Sequence, residues 1–490
     1  MTTTERLGNY VNRRSFLGSA GFGVGSAALL SLLGRDALGN TIDTSYDGIA
    51  GLPHHDAKIK RVIFLTMAGG PSHLETFDYK PKLNELNGKP MPESFTKGQP
   101  IAQLQGQHLK VQGHLTKFQE FGKGQFISDF LPYHRKMADQ ICVVKSMLTE
   151  QINHDPAHTF MNTGSAISGR PSMGAWINYG LGSDSEDLPG FVVMTSVGGR
   201  NPQPIAARQW GTGFLPSRHQ GVEFNSTGDP VHYVTRPAGI TEGHQQALVQ
   251  SIQQLDSRRN EVVDNPEIKA RIAAYEMAFR MQASVPELTD VSDEPQHILD
   301  MYGAKPGDGS FASNCLLARR LAEKGVRFIQ LYHRGWDHHG GLVKYMNTCC
   351  GLTDKPTWAL LTDLKQRGML EETLIVWGGE FGRTPMFQGK GGAGRDHHMK
   401  GFSMWLAGGG IQGGTAYGET DELGYASVKD VVHVRDLHAT MLYLLGIDHN
   451  QFSVKFQGLD MRLTGVEPAR VVQGVLSCLL YTSDAADEED

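Results

Sequence analysis

The sequence predicts an α/β protein with a largely parallel central sheet, helices on both faces and loop or helical insertions. Three observations lead there. Short apolar, β-branched runs such as 60–67 (KRVIFLTM) and 373–377 (TLIVW) read as strands buried on both faces. Between such runs lie amphipathic segments with helix-start and helix-stop residues, giving a strand–helix–strand alternation. Polar, ligand-type side chains then crowd directly behind the strands, where open α/β sheets place their binding crevice.

The 490 residues suffice for a large core. A formal net charge of -6 gives no sign of a nucleic-acid binder, and 39% hydrophobic residues with 59 glycines point to a loop-rich globular protein with no membrane association once mature. Five cysteines are too few for a disulfide framework at this length. Cys349 and Cys350 are adjacent and do not pair without strain, and Cys142 and Cys315 read as core residues.

The two ends stand apart from the fold. Asn12 to Leu17 reads NRRSFL, a twin-arginine export motif, followed by a mildly apolar Gly/Ala/Ser-rich stretch from Gly18 to Leu33 and small residues at Ala37-Leu38-Gly39. Residues 1–39 are therefore expected to be a signal peptide read by the twin-arginine translocase, with the mature protein periplasmic or otherwise exported. From Cys478 the chain reads CLLYTSDAADE, which resembles a translated sequencing adapter, so 478–490 are set aside as a tail. What remains, 40–477, is expected to be one domain with a loop and helical insertion over 201–300.

Taken in order, Lys60 to Met67 is the first strand and Ala68 to His73 a tight loop at its end. Glu85 to Gly124, rich in Gly, Gln and Lys, reads as surface loops. Leu131 to Met137 is a short helix and Gln140 to Met147 a strand. A helix opens at Asn153-His154-Asp155-Pro156, where proline near the first turn and Asp155 beside it are start signals. A further helix follows Gly169, and Gly190 to Thr195 is a strand. Asn201 to Pro237 is irregular, and Ile240 to Met281 is helical, with Ile272, Tyr275 and Phe279 on one face. Ser310 to Lys324 is a helix feeding the strand Val326 to Tyr332. Trp358 to Arg367 is a crossover helix capped by Gly368. Gly401 to Ala407 is a strand, and Asp436 to Leu445 a helix ending at Gly446.

The chemistry concentrates at strand ends. Behind TLIVW come Gly378-Gly379, then Glu380 and Arg383, and a Gly-rich loop delivers Arg395, Asp396, His397 and His398. Trp336-Asp337-His338-His339 forms a second cluster of this kind, and His73 follows the first strand's own Gly69-Gly70. A carboxylate, two arginines and paired histidines suit a metal ion holding an anionic group. The same residues would otherwise be a salt-bridged loop with surface histidines. Between His338 and His339, and between His397 and His398, the sequence does not choose.

The combination GGPSHLETFD, NHDPAH, WDHHGG, GGEFGRTP and GRDHH resembles the exported bacterial family called domain of unknown function 1501, across nearly all of the mature chain. That family is similar in architecture to the alkaline phosphatase and sulfatase superfamily, so the resemblance implies an alkaline-phosphatase-like fold. In the sulfatase pattern C-x-P-x-R-x-x-x-x-T-G, Pro156, Thr163 and Gly164 match, while His154 and His158 replace the nucleophilic cysteine and the arginine. Glu380 looks like the metal-binding aspartate at a strand end, Asp337 and His339 like the earlier metal pair, and His397 like the last ligand. Asp436 to Leu445 looks like the late helix of sulfatases, with Ala439 where proline is usual.

The resemblance implies a metal-dependent hydrolase of sulfate or phosphate esters, acting on a small anionic ester or on a sulfated or phosphorylated polymer. Asp337, His339, Glu380 and His397, with His73, would hold one or two divalent ions of zinc, calcium or manganese. Arg383 and Arg395 would clamp the anion, and His154, with His158, would serve as nucleophile or general base. The alternative is a non-catalytic anion- or metal-binding protein, since no Ser, Thr or Cys stands at position 154.

Overall fold

Arg61–Met67 is buried along almost its whole length, as a run of Val, Ile, Phe and Leu with no alternation requires, and it forms the middle strand of the sheet. In this computed structural model the residues described are 46–122, 124–199, 203–231, 241, 243–247, 251–252, 266–389 and 392–477. The export segment expected over 1–39 and the tail over 478–490 lie outside the described residues, as does most of 240–265. The described residues of Tyr46–Thr235 and Met281–Asp490 form one compact unit, which holds all that follows; those of Arg236–Arg280 belong to a second unit and are largely helical.

Nine strands build the sheet among the described residues: β1 (Arg61–Met67), β2 (Ile141–Leu148), β3 (Phe191–Thr195), β4 (Val222–Phe224), β5 (Phe328–His333), β6 (Thr373–Gly378), β7 (Phe402–Gly408), β8 (Thr415–Tyr417) and β9 (Val432–His433). Their order is β8-β2-β7-β6-β1-β5-β3-β4, with β9 also pairing β2. Every pair is parallel except those of β7, which runs antiparallel to both β2 and β6. The architecture is therefore mixed α/β with a largely parallel sheet, as the alternation of elements predicts.

Five helices matter for the site: α1 (His154–Thr163), α2 (Met173–Leu181), α3 (Phe311–Glu323), α4 (Leu342–Gln366) and α5 (Val434–Leu444). Val62 and Phe64 of β1 and Val376 of β6 join one apolar cluster with Phe160 of α1, Trp176 of α2 and Met441 of α5. Period-two alternation sends Trp377 of β6 and Trp405 of β7 to the opposite face. There the His134 ring packs on both indoles, with centroids 5.9 and 5.7 Å away, and its Nδ1 lies 2.5 Å from Asp354 Oδ1 of α4. Helices thus cover both faces.

Several elements differ from expectation. The crossover helix begins at Leu342 rather than Trp358, and runs 25 residues with Pro356 inside it. Residues 85–124 are not merely surface loops: Met91, Leu104 and Val111 pack with Leu74, Leu83, Met386 and Leu423 as a second small core. Within the irregular stretch 201–237, Val222–Phe224 pairs with β3 and becomes an edge of the sheet.

Candidate metal centre

The site grows from a crossing of two loops at the carboxyl ends of β1 and β6. Gly69 and Gly70 have φ of 123° and 72°, and a Cβ on Gly69 would stand 2.5 Å from the Asp337 backbone nitrogen. Glycine is needed here both for the left-handed backbone and for the close approach. The bend aims successive N–H groups at one carboxylate: Gly69 donates to both oxygens of Glu380 at 3.1 Å, and Gly70 donates to Oε2 at 3.2 Å. Glu380 itself is fully buried, immediately behind β6.

α1 brings histidines to the same carboxylate. His154 Nδ1 lies 2.6 Å from Glu380 Oε1, and His158 Nε2, one turn later, lies 3.4 Å from that oxygen. Acidic Asp155 stands in the first turn of the helix, and Gly164 ends it in the left-handed C-cap conformation. On the far side of the His154 ring, Nε2 is 3.3 Å from Asp337 Oδ2. The loop behind β5 thus supplies a second carboxylate, whose Oδ1 lies 2.9 Å from His339 Nε2, 3.2 Å from His397 Nε2 and 2.7 Å from an Arg383 guanidinium nitrogen. His339 and His397 face each other, Nε2 to Nε2, at 3.0 Å.

These neighbours set the charges. Burial works to raise the Asp337 carboxyl, but hydrogen bonds from His154, His339 and His397, and then the Arg383 charge, hold it far below the usual carboxylate range. Burial opposes ionisation of Glu380 as well, yet the His158 and His154 charges and the His154 hydrogen bond bring its pKa down to about 2. Burial would also lower His154, but its bonds to Asp337 and Glu380 prevail and raise it to about 8. His397 is pushed down to about 4 by burial, against the pull of Asp337.

Asp337, His339, Glu380, His397, His154 and His158 come together as one cluster. Within each ambiguous pair the structure turns one ring away: His338 Nε2 lies 2.8 Å from the Gly335 carbonyl, and His398 Nε2 meets the Tyr425 carbonyl. His73 does not join the cluster. A 3-10 turn over His73–Glu75 carries its ring to the Gly424 carbonyl, with Nε2 at 2.9 Å, so proximity in sequence to Gly69-Gly70 misleads. The expectation that the arginines clamp a substrate anion also needs correction. Arg395 is completely buried against Glu75 and three carbonyls, and Arg383 donates to Asp337 and to the Gly69, Gly70 and Arg395 carbonyls. Both are braces for loops, with every N–H of Arg395 and most of those of Arg383 already engaged.

Three further participants take roles that the sequence does not assign them, although Asp396 is named there beside His397. Glu75 stood in view within GGPSHLETFD, yet nothing local links it to Arg395. Asp396 accepts from Leu104 N at 2.7 Å and from its neighbour His397 N at 2.9 Å, so it pins the histidine loop under the small second core. Gln388 Oε1 lies 2.6 Å from His339 Nδ1 and orients that ring.

A family model described as "Protein of unknown function (DUF1501)" matches residues 59–476. The chain belongs to the DUF1501 family. Among curated proteins no sequence matches. Solved structures similar to this DUF1501 chain include the lipoteichoic acid synthase LtaP from Listeria monocytogenes, at 10% identity and TM-score 0.35, covering 84% of this chain and 77% of that one. The PsFucS1 sulfatase from Pseudoalteromonas sp. is similar at 12% identity and TM-score 0.34, covering 86% and 72%. An alkaline phosphatase from the Antarctic bacterium TAB5 is similar at 11% identity and TM-score 0.29, covering 79% and 98%. Family membership rests on the match over 59–476, and the description of the fold on the strand order itself.

In this DUF1501 chain the donors fall into three overlapping groups, His154/His158/Glu380, His154/Asp337/His397 and His339/Asp396/His397, with ligand atoms in each within 4.8 Å of one another. The residues fit a divalent ion on two grounds. Imidazole nitrogens with carboxylate oxygens are the donor chemistry of zinc and its first-row neighbours. His158 Nε2, which faces Glu380, is also buried with no hydrogen-bond partner, a cost that a bound cation would remove.

Proposed function

We propose that this chain is an exported, metal-dependent hydrolase of sulfate or phosphate esters, a small anionic ester or an esterified polymer being its substrate. The observation that carries the reading is convergence. α1, the loops behind β5 and β6, and the segment 395–398 each send ligand-type side chains to one point at the carboxyl ends of parallel strands. One or two divalent ions held among Asp337, His339, Glu380 and His397 would polarise the ester oxygen and lower the pKa of a bound water. The imidazole-rich donor set suits zinc better than calcium or manganese, which favour oxygen ligands.

His154 stands where the sulfatase pattern has its nucleophile, but each of its ring nitrogens faces a carboxylate. Two carboxylates favour an N–H on both ring nitrogens, which leaves no lone pair for an ester, so attack falls to water. With the arginines committed elsewhere, a divalent ion held by these residues would supply the positive charge for the anion. Export follows from the twin-arginine motif, and no helix among the described residues is long and apolar enough to cross a membrane.

The test is metal analysis of the mature protein with a panel of aryl phosphates and aryl sulfates. Turnover that disappears with chelator, returns with zinc or manganese, and is absent in Asp337→Asn is the expected result. Bound metal without turnover of either class would instead leave the reading of an anion- or metal-binding protein, which the committed arginines and the absence of a hydroxyl or thiol at position 154 favour.

A further inference from the structure

We propose that His154, His158 and Glu380 form a metal site of their own, a two-histidine, one-carboxylate set in which the position read as catalytic is a ligand. The inference rests on the metal-centre part of the proposed function and not on its ester chemistry.

The geometry begins with spacing. His154 and His158 are four residues apart on α1, so their side chains lie on one helix face. That is the disposition by which paired histidines on a helix grip one ion. His158 Nε2 lies 3.4 Å from Glu380 Oε1, within the separation of about 3.0–3.4 Å that two ligand atoms of one zinc ion keep at bond lengths near 2.0–2.1 Å. His154 Nδ1 lies 2.6 Å from the same oxygen, a hydrogen-bond distance that an inserted ion would open by less than about 1 Å.

The surroundings are arranged as a ligand shell requires. His158 is fully buried, and its Nε2, the nitrogen beside Glu380, has no hydrogen-bond partner. Glu380 is oriented by the Gly69 and Gly70 N–H groups on its oxygens. The other nitrogen of His154 lies 3.3 Å from Asp337 Oδ2, so with Nδ1 on a metal a carboxylate is near enough for the Nε2–H to turn to. Asp337 Oδ1 faces His339 and His397 and belongs to the outer group. One carboxylate thus separates two ligand sets, and Tyr332 behind them directs its hydroxyl to Asn162, supplying no competing donor to the inner one.

Zinc itself is the probe. The mature protein, stripped by chelator and reloaded with zinc, is crystallised and anomalous scattering is recorded at the zinc edge. A peak within roughly 2.0–2.2 Å of His158 Nε2, His154 Nδ1 and Glu380 Oε1 is expected. Zinc titration of His158→Gln should lose one equivalent relative to wild type while the outer group still binds. Zinc found only among Asp337, His339 and His397 overturns the proposal, as does wild-type stoichiometry and affinity in His158→Gln. If that variant does not fold, the wild-type crystal decides by itself. An inner zinc peak with no ester turned over refutes the hydrolase and keeps the site; turnover with the inner position empty does the reverse.

Discussion

Arg395 and Glu75 meet edge to edge, both fully buried, with Nε 2.9 Å from Oε2 and one terminal nitrogen 2.7 Å from Oε1. This two-point pair ties the loop that presents His397 to the loop behind β1, and Ser72 adds its hydroxyl to Glu75. Breaking a buried pair from one side leaves a charge without a partner. Glu75→Gln should therefore cost about 3–5 kcal/mol by chemical denaturation. Arg395→Lys should restore little, because an ammonium cannot form the planar fork. A loss under about 1 kcal/mol would mean that the two loops are held by something else.

Gly69 offers a backbone test. Its φ of 123° and the 2.5 Å approach of an added Cβ to Asp337 N leave no room for alanine. Gly69→Ala should lower stability by more than about 1 kcal/mol and weaken metal binding as well, because the bend aims two N–H groups at Glu380. Calorimetric zinc titration checks the second effect. Unchanged affinity would separate the bend from the site.

His438 of α5 predicts a pH dependence away from the metal ligands. Its Nε2 lies 2.8 Å from the Met161 carbonyl, and burial lowers its pKa to about 4. In the unfolded chain the ring takes a proton near pH 6.5, while in the folded chain it stays neutral until about 4. Its contribution is thus complete above pH 6.5 and falls away as the pH drops towards 4, at about 1.4 kcal/mol per pH unit. His438→Gln keeps a donor for Met161 and should flatten that part of the stability curve. Parallel curves for variant and wild type would refute the assignment.

Export is tested with Arg13→Lys combined with Arg14→Lys, which should leave the precursor in the cytoplasm on cell fractionation. Normal periplasmic accumulation would overturn the targeting proposal.

The strand ends that make the site were legible in the sequence, because an unbroken apolar run followed by two glycines has few other readings. β1 and β6 are legible to within one residue of their bounds, and β5, which no glycine pair follows, to within two. The first half of α4 was not, since Cys349-Cys350-Gly351 and Pro356 look like breaks, and only burial against the sheet carries the helix through them. Three-residue strands such as Val222–Phe224 and Thr415–Tyr417 are too short to show a period. The arginines mislead for a different reason. Residue type announces a charge, but whether it is free depends on a partner such as Glu75, far away in the chain. His158 was read by position in a pattern, and its lack of a partner emerges only from packing.

β1 lies between β5 and β6, and both of its neighbours come from the second half of the chain. That placement gives the domain a high contact order, so a nascent chain carries β1 as an unsatisfied edge until most of translation is complete. Gly69, His154, Asp337, Glu380 and His397 are likewise scattered from early to late, and no fragment of the polypeptide owns a binding pocket. If the cluster binds a metal as proposed, capture would be the closing event of assembly, and protein loaded with zinc would resist proteolysis better than the same chain treated with chelator.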